Sequence, residues 1–445
     1  MNPSDTNHAS AKDQLLARIR DRTALVGVVG LGYVGLPFAV EKGKAGFRVV
    51  GFDRKPDRVD AVNRGESYIK DVEGEELRGL VARGMIVATT DMDRFREVDV
   101  IVIAVPTPLN KNLMPDLQYV EASTREVARR LRPGQLVSLE STTYPGTTDE
   151  LMRPILEATG LGAGKDFFLA HSPERVDPGN QRYTTKNTNK VVGASDPASQ
   201  EVAFAFYSQT IQHVVPVSSA RAAELTKVFE NTFRAVNIAL VNELTLLCDR
   251  MGLDVWEVLD AAFTKPFGIM PFYPGPGVGG HCIPLDPHYL EWKAREYNFS
   301  TRFIALAGEI NRRMPEFVVE KAMRILSDRG LGLGGARVLA LGVTYKRDLD
   351  DPRESPAANV IKLLQARGAN VVYHDPYIPR FTEMGLDLRC VPLTRDELAA
   401  ADLVVILTDH TTVDYGMVVR EARLVLDTRN ATRNARGGPG KVILL

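Results

Sequence analysis

Leu25-Val26-Gly27-Val28-Val29-Gly30-Leu31-Gly32-Tyr33-Val34-Gly35-Leu36-Pro37 runs from a short apolar stretch, through a GxGxxG turn, into a helical pattern. Strand, glycine turn and helix in this order form the opening of a dinucleotide-binding βαβ unit. Gly30 allows the tight turn, Gly32 lets the backbone approach a pyrophosphate, and Gly35 permits close packing of helix on strand. The helix N-terminus then faces the phosphates. Asp53 closes the next apolar run, 18 residues after Gly35, where a carboxylate accepts hydrogen bonds from a ribose. Its charge repels a 2′-phosphate, so NAD is expected over NADP, with Arg54 and Arg58 beside it working the other way. Gly30, Gly32, Tyr33, Val34, Gly35, Asp53 and Arg58 are the expected cofactor contacts of this segment.

Outward from this turn, short apolar runs at 25–29, 48–53, 86–89, 98–105, 136–139 and 168–171 alternate with helical patterns, which predicts a parallel sheet covered on both faces. The texture changes after Pro216. No glycine or proline occurs in the 35 residues before Gly252, and Leu225, Val228, Phe229, Phe233, Val236, Leu240, Leu244 and Leu247 recur at helical spacing. One helix, roughly 45–50 Å long at about 1.5 Å per residue, is expected. Ser218 or Ser219 is placed to cap its start and Gly252 to end it. Runs at 337–341, 370–373, 403–407 and 424–427 then return to strand–helix alternation. They echo the first block: Val371-Val372-Tyr373-His374-Asp375 against Val49-Val50-Gly51-Phe52-Asp53, and Asp402-Leu403-Val404-Val405-Ile406 against Asp99-Val100-Ile101-Val102-Ile103. The expected fold is α/β, with two Rossmann-like parallel-sheet domains joined by a central helical domain. The expected boundaries are a polar tail at 1–22, an NAD-binding domain at 23–216, a central and dimerising domain at 217–325, and a C-terminal domain at 326–445.

Composition narrows the class. The 445 residues exceed what one core organises. A net charge of −1 gives no electrostatic case for nucleic acid or an acidic membrane surface. No run approaches the ~20 apolar residues of a membrane span. The polar stretch 1–12 lacks the apolar centre of a secretory signal, so a cytoplasmic location is expected. Three cysteines, Cys248, Cys282 and Cys390, lie far apart, and neither a metal site nor a disulfide framework is expected.

Cys282 stands apart from the other two. It ends Tyr273-Pro274-Gly275-Pro276-Gly277-Val278-Gly279-Gly280-His281-Cys282, a loop shaped by glycine and proline, and lies four residues before Asp286. A thiol among polar partners and exposed amides becomes a thiolate nucleophile; in a bland reading it is a structural cysteine in a sharp turn. On the long helix Glu224, Lys227 and Asn231 share a face, which in the bland reading is a solvated one. Thr107, Thr142 and Glu174 each follow an expected strand, where ligands of open parallel sheets bind.

These segments together resemble the UDP-glucose/GDP-mannose dehydrogenase family from about Ala24 to about Asn430. The markers are GLGYVGLP from Gly30, PTP from Pro106, ST-x-x-PGTT from Ser141, SPER from Ser172, AELTK from Ala223, GVGGHC from Gly277 and YKRDLDDPRES from Tyr345. The resemblance implies an enzyme that uses two NAD in turn to convert the C6 alcohol of a UDP-sugar to a carboxylate. It implies Cys282 as nucleophile, carrying first a thiohemiacetal and then a thioester. Lys227 and Asn231 would stabilise oxyanion character at C6, and Asp286, Thr142 and Glu174 would serve water and proton transfers. Substrate contacts would come from Glu174, Arg175, Lys227, Asn231, Tyr273, Gly279, Lys346 and Arg429, and cofactor contacts also from Thr107, Thr142 and Arg353. A homodimer or higher oligomer is implied as well. Leu285 departs from the UDP-glucose and GDP-mannose branches, which usually place lysine three residues after the cysteine. The segment Cys282-Ile283-Pro284-Leu285-Asp286-Pro287 resembles instead the branch acting on UDP-N-acetylhexosamines, and Pro284 and Tyr289 lean toward its N-acetylglucosamine members.

Overall fold

The computed structural model describes residues 10–110, 112–177, 182–280, 283–435 and 440–445. The chain divides into two compact units, one of Met1–Glu230 with Arg295–Tyr297, the other of Asn231–Ala294 with Asn298–Leu445.

The first unit is built on eight strands: β1 Leu25–Val29, β2 Arg48–Phe52, β3 Ile86–Thr89, β4 Val100–Ile103, β5 Leu136–Leu139, β6 Phe168–His171, β7 Lys190–Ala194 and β8 Val214–Pro216. Their order is β3-β2-β1-β4-β5-β6-β7-β8, parallel throughout except where β7 runs against β6. Side chains alternate across a strand, so both faces of a covered sheet must be apolar. Val26, Val28, Val100 and Val102 enter one core with helices Ala11–Arg20, Gly35–Lys44, Gly74–Ala82 and Pro197–Ser208. Val29, Ile101, Ile103, Val137 and Leu139 enter the other, with Val120, Val127, Met152 and Leu156.

Two findings refine the sequence reading. The run 98–105 contributes only Val100–Ile103 to the sheet, because the Ser141 hydroxyl occupies both backbone groups of Val105, at 2.9 Å from its nitrogen and 2.7 Å from its oxygen. Strands β7 and β8 were not anticipated; they extend the sheet beyond its antiparallel step.

The second unit holds a five-stranded parallel sheet of β9 Arg337–Leu341, β10 Asn370–His374, β13 Leu403–Ile406, β14 Val425–Asp427 and β15 Val442–Leu444, in the order β10-β9-β13-β14-β15. A two-stranded ribbon of β11 Arg380–Phe381 and β12 Leu388–Arg389 lies outside it. The echo in sequence is a repeat in structure. β1 pairs with β2 and β4, as β9 pairs with β10 and β13. Gly30, at φ +89°, donates to the Phe52 carbonyl at 2.8 Å, and Gly342, at φ +80°, donates to that of His374 at 2.9 Å. Asp53 accepts the Leu31 N–H at 3.0 Å, and Asp375 that of Val343 at 2.7 Å. Asp99 accepts the Leu25 N–H at 2.8 Å, and Asp402 that of Arg337 at 2.9 Å.

The long helix spans Ala220–Met251. The Ser219 hydroxyl accepts the Ala222 N–H at 3.1 Å, and Gly252 stops the helix at φ +68°. Leu225, Phe229, Phe233, Leu240, Leu247 and Met251 stay exposed along it, Phe229 and Leu240 by about three fifths (60% and 61%). Among the described residues no helix is long and apolar enough to cross a membrane.

The paired aspartates at the strand starts give a stability prediction. Asp99 is buried and also holds Arg18 at 2.6 Å and Arg132 at 2.7 Å, so Asp99→Ala leaves a buried N–H and two guanidinium groups without their acceptor. A loss of ~2–4 kcal/mol is expected. Asp402, about a quarter exposed, should cost roughly half as much on the same change. Urea midpoints of the two variants test this, and equal or negligible losses would contradict it.

Candidate active site

The cofactor cradle lies at the carboxyl edge of β1. A Cβ on Gly30 would stand 2.4 Å from the Ala104 oxygen, and one on Gly35 would stand 1.8 Å from the Gly30 oxygen. Neither position admits a side chain. A Cβ on Gly32 would meet nothing within 4 Å, so no contact inside the protein requires glycine there; what needs that open space is a ligand against the main chain. The helix Gly35–Lys44 starts at this point with its N–H groups on the same side. Asp53 is buried and accepts the N–H groups of Leu31 and Lys55, both at 3.0 Å, while Arg58 pairs with it at 3.5 Å. The guanidinium that opposed the NAD reading is thus partly neutralised by the carboxylate. Tyr33 is half exposed beside the turn, next to the partly buried Val34.

Thr107, Thr142 and Glu174 follow β4, β5 and β6 along that same edge. The structure brings the first two together: the Thr107 hydroxyl donates to the Thr142 carbonyl at 2.7 Å. One Glu174 oxygen accepts the N–H groups of Arg175 and Val176 at 2.8 and 2.9 Å, and the other faces the Lys190 ammonium at 3.3 Å. Burial pushes Glu174 up, but the Lys190 charge and those N–H groups outweigh it and hold the carboxyl below its usual range. Arg175 reaches Glu230 at 2.6 Å and the Asn189 carbonyl at 2.7 Å.

The trio on the long helix is not a solvated face. Glu224 and Asn231 are buried, and Lys227 is partly so. Glu224 accepts the N–H groups of Gly146 and Thr148 and the Thr148 hydroxyl, at 2.5, 2.8 and 2.7 Å. It ties the turn that follows Thr142 to the helix one turn before Lys227. Burial pushes its carboxyl up to about 7 against those hydrogen bonds.

In the second unit Asn231 and Asp286, 55 residues apart, meet: the Asn231 amide donates to the Asp286 carboxylate at 2.5 Å, both buried. Cys282, like His281, lies outside the described residues, whereas Asp286 opens helix Asp286–Ala294. The glycine loop is shaped by its neighbours. A Cβ on Gly275 would strike the Arg429 guanidinium at 2.4 Å, and one on Gly279 would lie 2.8 Å from Tyr345, Pro356 and the Glu354 oxygen. Gly279 and Arg429 are therefore brought to one loop cluster, together with Tyr345, the neighbour of Lys346. Arg429 is further held by the Leu407 carbonyl at 2.9 Å. Tyr273 stacks on Trp256 at 5.6 Å between centroids and donates to Asp260 at 2.9 Å. Arg353 grips Asp351 through two bonds of 2.7 and 2.6 Å. Cys248 is buried in the apolar core and Cys390 is half buried, its thiol pushed up by burial. Among the described residues no group of histidine, cysteine and carboxylate side chains could hold a metal.

A glycine cradle open above Gly32, an inward-tied Asp53 and polar groups gathered at the strand ends define an NAD-dependent dehydrogenase. Comparison with known proteins extends this. Residues 24–211 match the NAD binding domain of the UDP-glucose/GDP-mannose dehydrogenase family, 221–313 its central domain and 339–434 its UDP binding domain. The chain is 37% identical to UDP-N-acetyl-D-glucosamine 6-dehydrogenase of Pseudomonas aeruginosa, over 79% of this chain and 83% of that one. It is 36% identical to NDP-N-acetyl-D-galactosaminuronic acid dehydrogenase of Ralstonia nicotianae, over 91% and 95%. The solved UDP-D-ManNAc dehydrogenase from Pyrococcus horikoshii superposes with a TM-score of 0.85 at 32% identity, covering 94% of this chain and 98% of that one. The chain belongs to the UDP-glucose/GDP-mannose dehydrogenase family and is an NAD-dependent UDP-sugar dehydrogenase.

The position of Asp53 predicts the cofactor preference. A 2′-phosphate would meet a buried carboxylate that cannot turn away, a conflict of ~2–3 kcal/mol, or roughly a hundredfold in kcat/KM in favour of NAD. Equal kcat/KM for the two cofactors would show that Arg54 and Arg58 override the carboxylate.

Proposed function

We propose that the chain oxidises the C6 alcohol of a UDP-N-acetylhexosamine, with UDP-N-acetylglucosamine as best substrate, to the uronic acid by way of a cysteine adduct. The observation that carries the substrate class is Leu285, standing where the glucose and mannose branches usually carry lysine. Likeness to relatives named for N-acetylglucosamine, N-acetylmannosamine and N-acetylgalactosaminuronic acid supports it. UDP-N-acetylmannosamine is the runner-up.

Two NAD, bound in turn at the glycine turn and Asp53, would supply the hydride acceptor for the two oxidations at C6. Cys282 adds through sulfur to the aldehyde carbon, so that the second oxidation leaves a thioester. Water then adds to its carbonyl, the C–S bond breaks, and the sulfur leaves as thiolate. Lys227 and Asn231 oppose the negative charge that develops on the C6 oxygen. Asp286, held by Asn231, and Glu174 and Thr142 take and return protons. Tyr33, Val34, Arg58, Thr107 and Arg353 serve the cofactor, and Arg175, Tyr273, Gly279, Lys346 and Arg429 serve the nucleotide sugar. A single-step hydroxyacid dehydrogenase would need neither Cys282 nor its glycine loop.

A panel of UDP-sugars tests the substrate assignment: UDP-N-acetylglucosamine should give the highest kcat/KM, and a higher value for UDP-glucose would overturn the reading of Leu285. Cys282→Ala should bind UDP-sugar and NAD almost as the parent does, yet lose carboxylate formation by orders of magnitude. Lys227→Ala should slow both oxidations by ~10²–10³. Full carboxylate formation by the alanine variant at position 282 would exclude the covalent route.

The exposed stripe on Ala220–Met251 supports at least a dimer, since apolar residues of this size in one row are normally covered. Sedimentation at micromolar concentration should show no monomer; a monomer there would contradict the proposal.

A further inference from the structure

Behind the carboxyl ends of β5 and β6 the first unit buries ionisable groups that none of the roles above uses. Lys190, the first residue of β7, is almost fully buried, and its ammonium lies 3.3 Å from a Glu140 oxygen and 3.3 Å from a Glu174 oxygen. The Pro173 carbonyl is 3.4 Å away. Glu140 is also buried; one of its oxygens faces the Lys190 ammonium at 3.3 Å, and the Tyr207 hydroxyl and Lys42 lie close enough to act on its charge. Three further titratable groups surround the set. Lys42, from helix Gly35–Lys44, donates to the Phe206 carbonyl at 2.9 Å and sits 3.5 Å from the Phe206 ring centre. His171 on β6 has both ring nitrogens buried without a hydrogen bond among the described residues. Tyr207, from helix Pro197–Ser208, shares a hydrogen bond with Ser138 at 2.8 Å.

Burying charge is unfavourable unless it is compensated, and an apolar filling of the same space is often as stable or more so. Here one ammonium serves two carboxylates. Remove it, and the Glu174 carboxyl loses the cation that holds it below its usual range, so burial raises it. A protonated Glu174 accepts no proton from water. Burial drives the Glu140 carboxyl up to about 7, with the Lys190 charge opposing and Glu174 adding to the rise. The same burial, with Lys190 beside it, drives His171 down to about 3, so its ring is neutral and supplies no second cation. Burial likewise pulls the Lys42 ammonium well below its ordinary range.

We propose that Lys190 is a positioning residue for thioester hydrolysis: it keeps Glu174 ionised and oriented. The proposal rests on the reading of Glu174 as the group that takes a proton from water. The proton passes from water to the Glu174 carboxylate as oxygen bonds to the thioester carbon and sulfur leaves.

The test follows thioester decay against pH, by mass spectrometry of quenched protein after a single turnover, together with NAD affinity. Lys190→Met should move the acid limb of the decay rate upward by about one pH unit or more, with recovery at high pH. Thioester should accumulate near neutrality, and NAD affinity should not change. Lys190→Arg, which keeps the charge, should stay close to the parent. A merely structural lysine predicts a uniform loss at every pH with no recovery at high pH, and that result would overturn the proposal. If Lys190→Met does not fold, Lys190→Gln decides: it keeps a hydrogen-bond donor near Glu174 but no charge, so the limb should still rise, and an unmoved limb counts against the proposal. Glu174→Gln separates the two ideas. If it does not slow decay, the role given to Glu174 is wrong, whatever the lysine variants show.

Discussion

The close approach between Gly35 and Gly30 is the contact on which the rest of the first unit depends. With 1.8 Å between a notional Gly35 Cβ and the Gly30 oxygen, only glycine lets the helix start directly against the end of β1. That contact aims the helix N-terminus at the open space over Gly32. It also sets Leu31 where its N–H meets Asp53. The polar loops after β4, β5 and β6 leave the same edge of the parallel sheet, so Thr107, Thr142 and Glu174 share one side with the glycine turn by topology alone.

The second unit repeats the frame without that contact. Gly342 and Asp375 occupy the places of Gly30 and Asp53, but the next helix on the chain begins at Pro356, not five residues past the glycine. The intervening stretch carries Tyr345, Lys346 and Arg353. Asp375 is spent inward: it accepts the N–H groups of Val343, Tyr377 and Ile378 and faces His410 at 3.0 Å. The His410 Nδ1 accepts the Asp348 N–H at 3.0 Å, which leaves the proton on Nε2 for that carboxylate. One architecture, used twice, thus presents a dinucleotide cradle in one unit and a basic, glycine-packed loop cluster in the other.

The sheet frame was legible because buried parallel strands announce themselves as apolar runs, and the cradle because three glycines and an acid each carry a geometric demand. The internal repeat was visible at one strand ending and one strand start. The end of β4 was not, since it depends on the Ser141 hydroxyl, 36 residues further on and just past the next strand. Nor was the meeting of Asn231 with Asp286, or the fate of Glu224, because a helical stripe says which residues share a face and not what covers it. Lys190 left no signal: a lysine at a strand start reads as a solvated edge, and only the antiparallel step from β6 to β7 turns it inward. Lys42 did leave one, since it falls four residues after Phe38 on the apolar face of its helix.

The central claim is that the sugar stays bound to sulfur between two oxidations. The most direct measurement is the yield of NADH at limiting UDP-N-acetylglucosamine with excess NAD. Two NADH per sugar, with no free aldehyde detected, is the predicted result; one NADH per sugar, with aldehyde released, would contradict it.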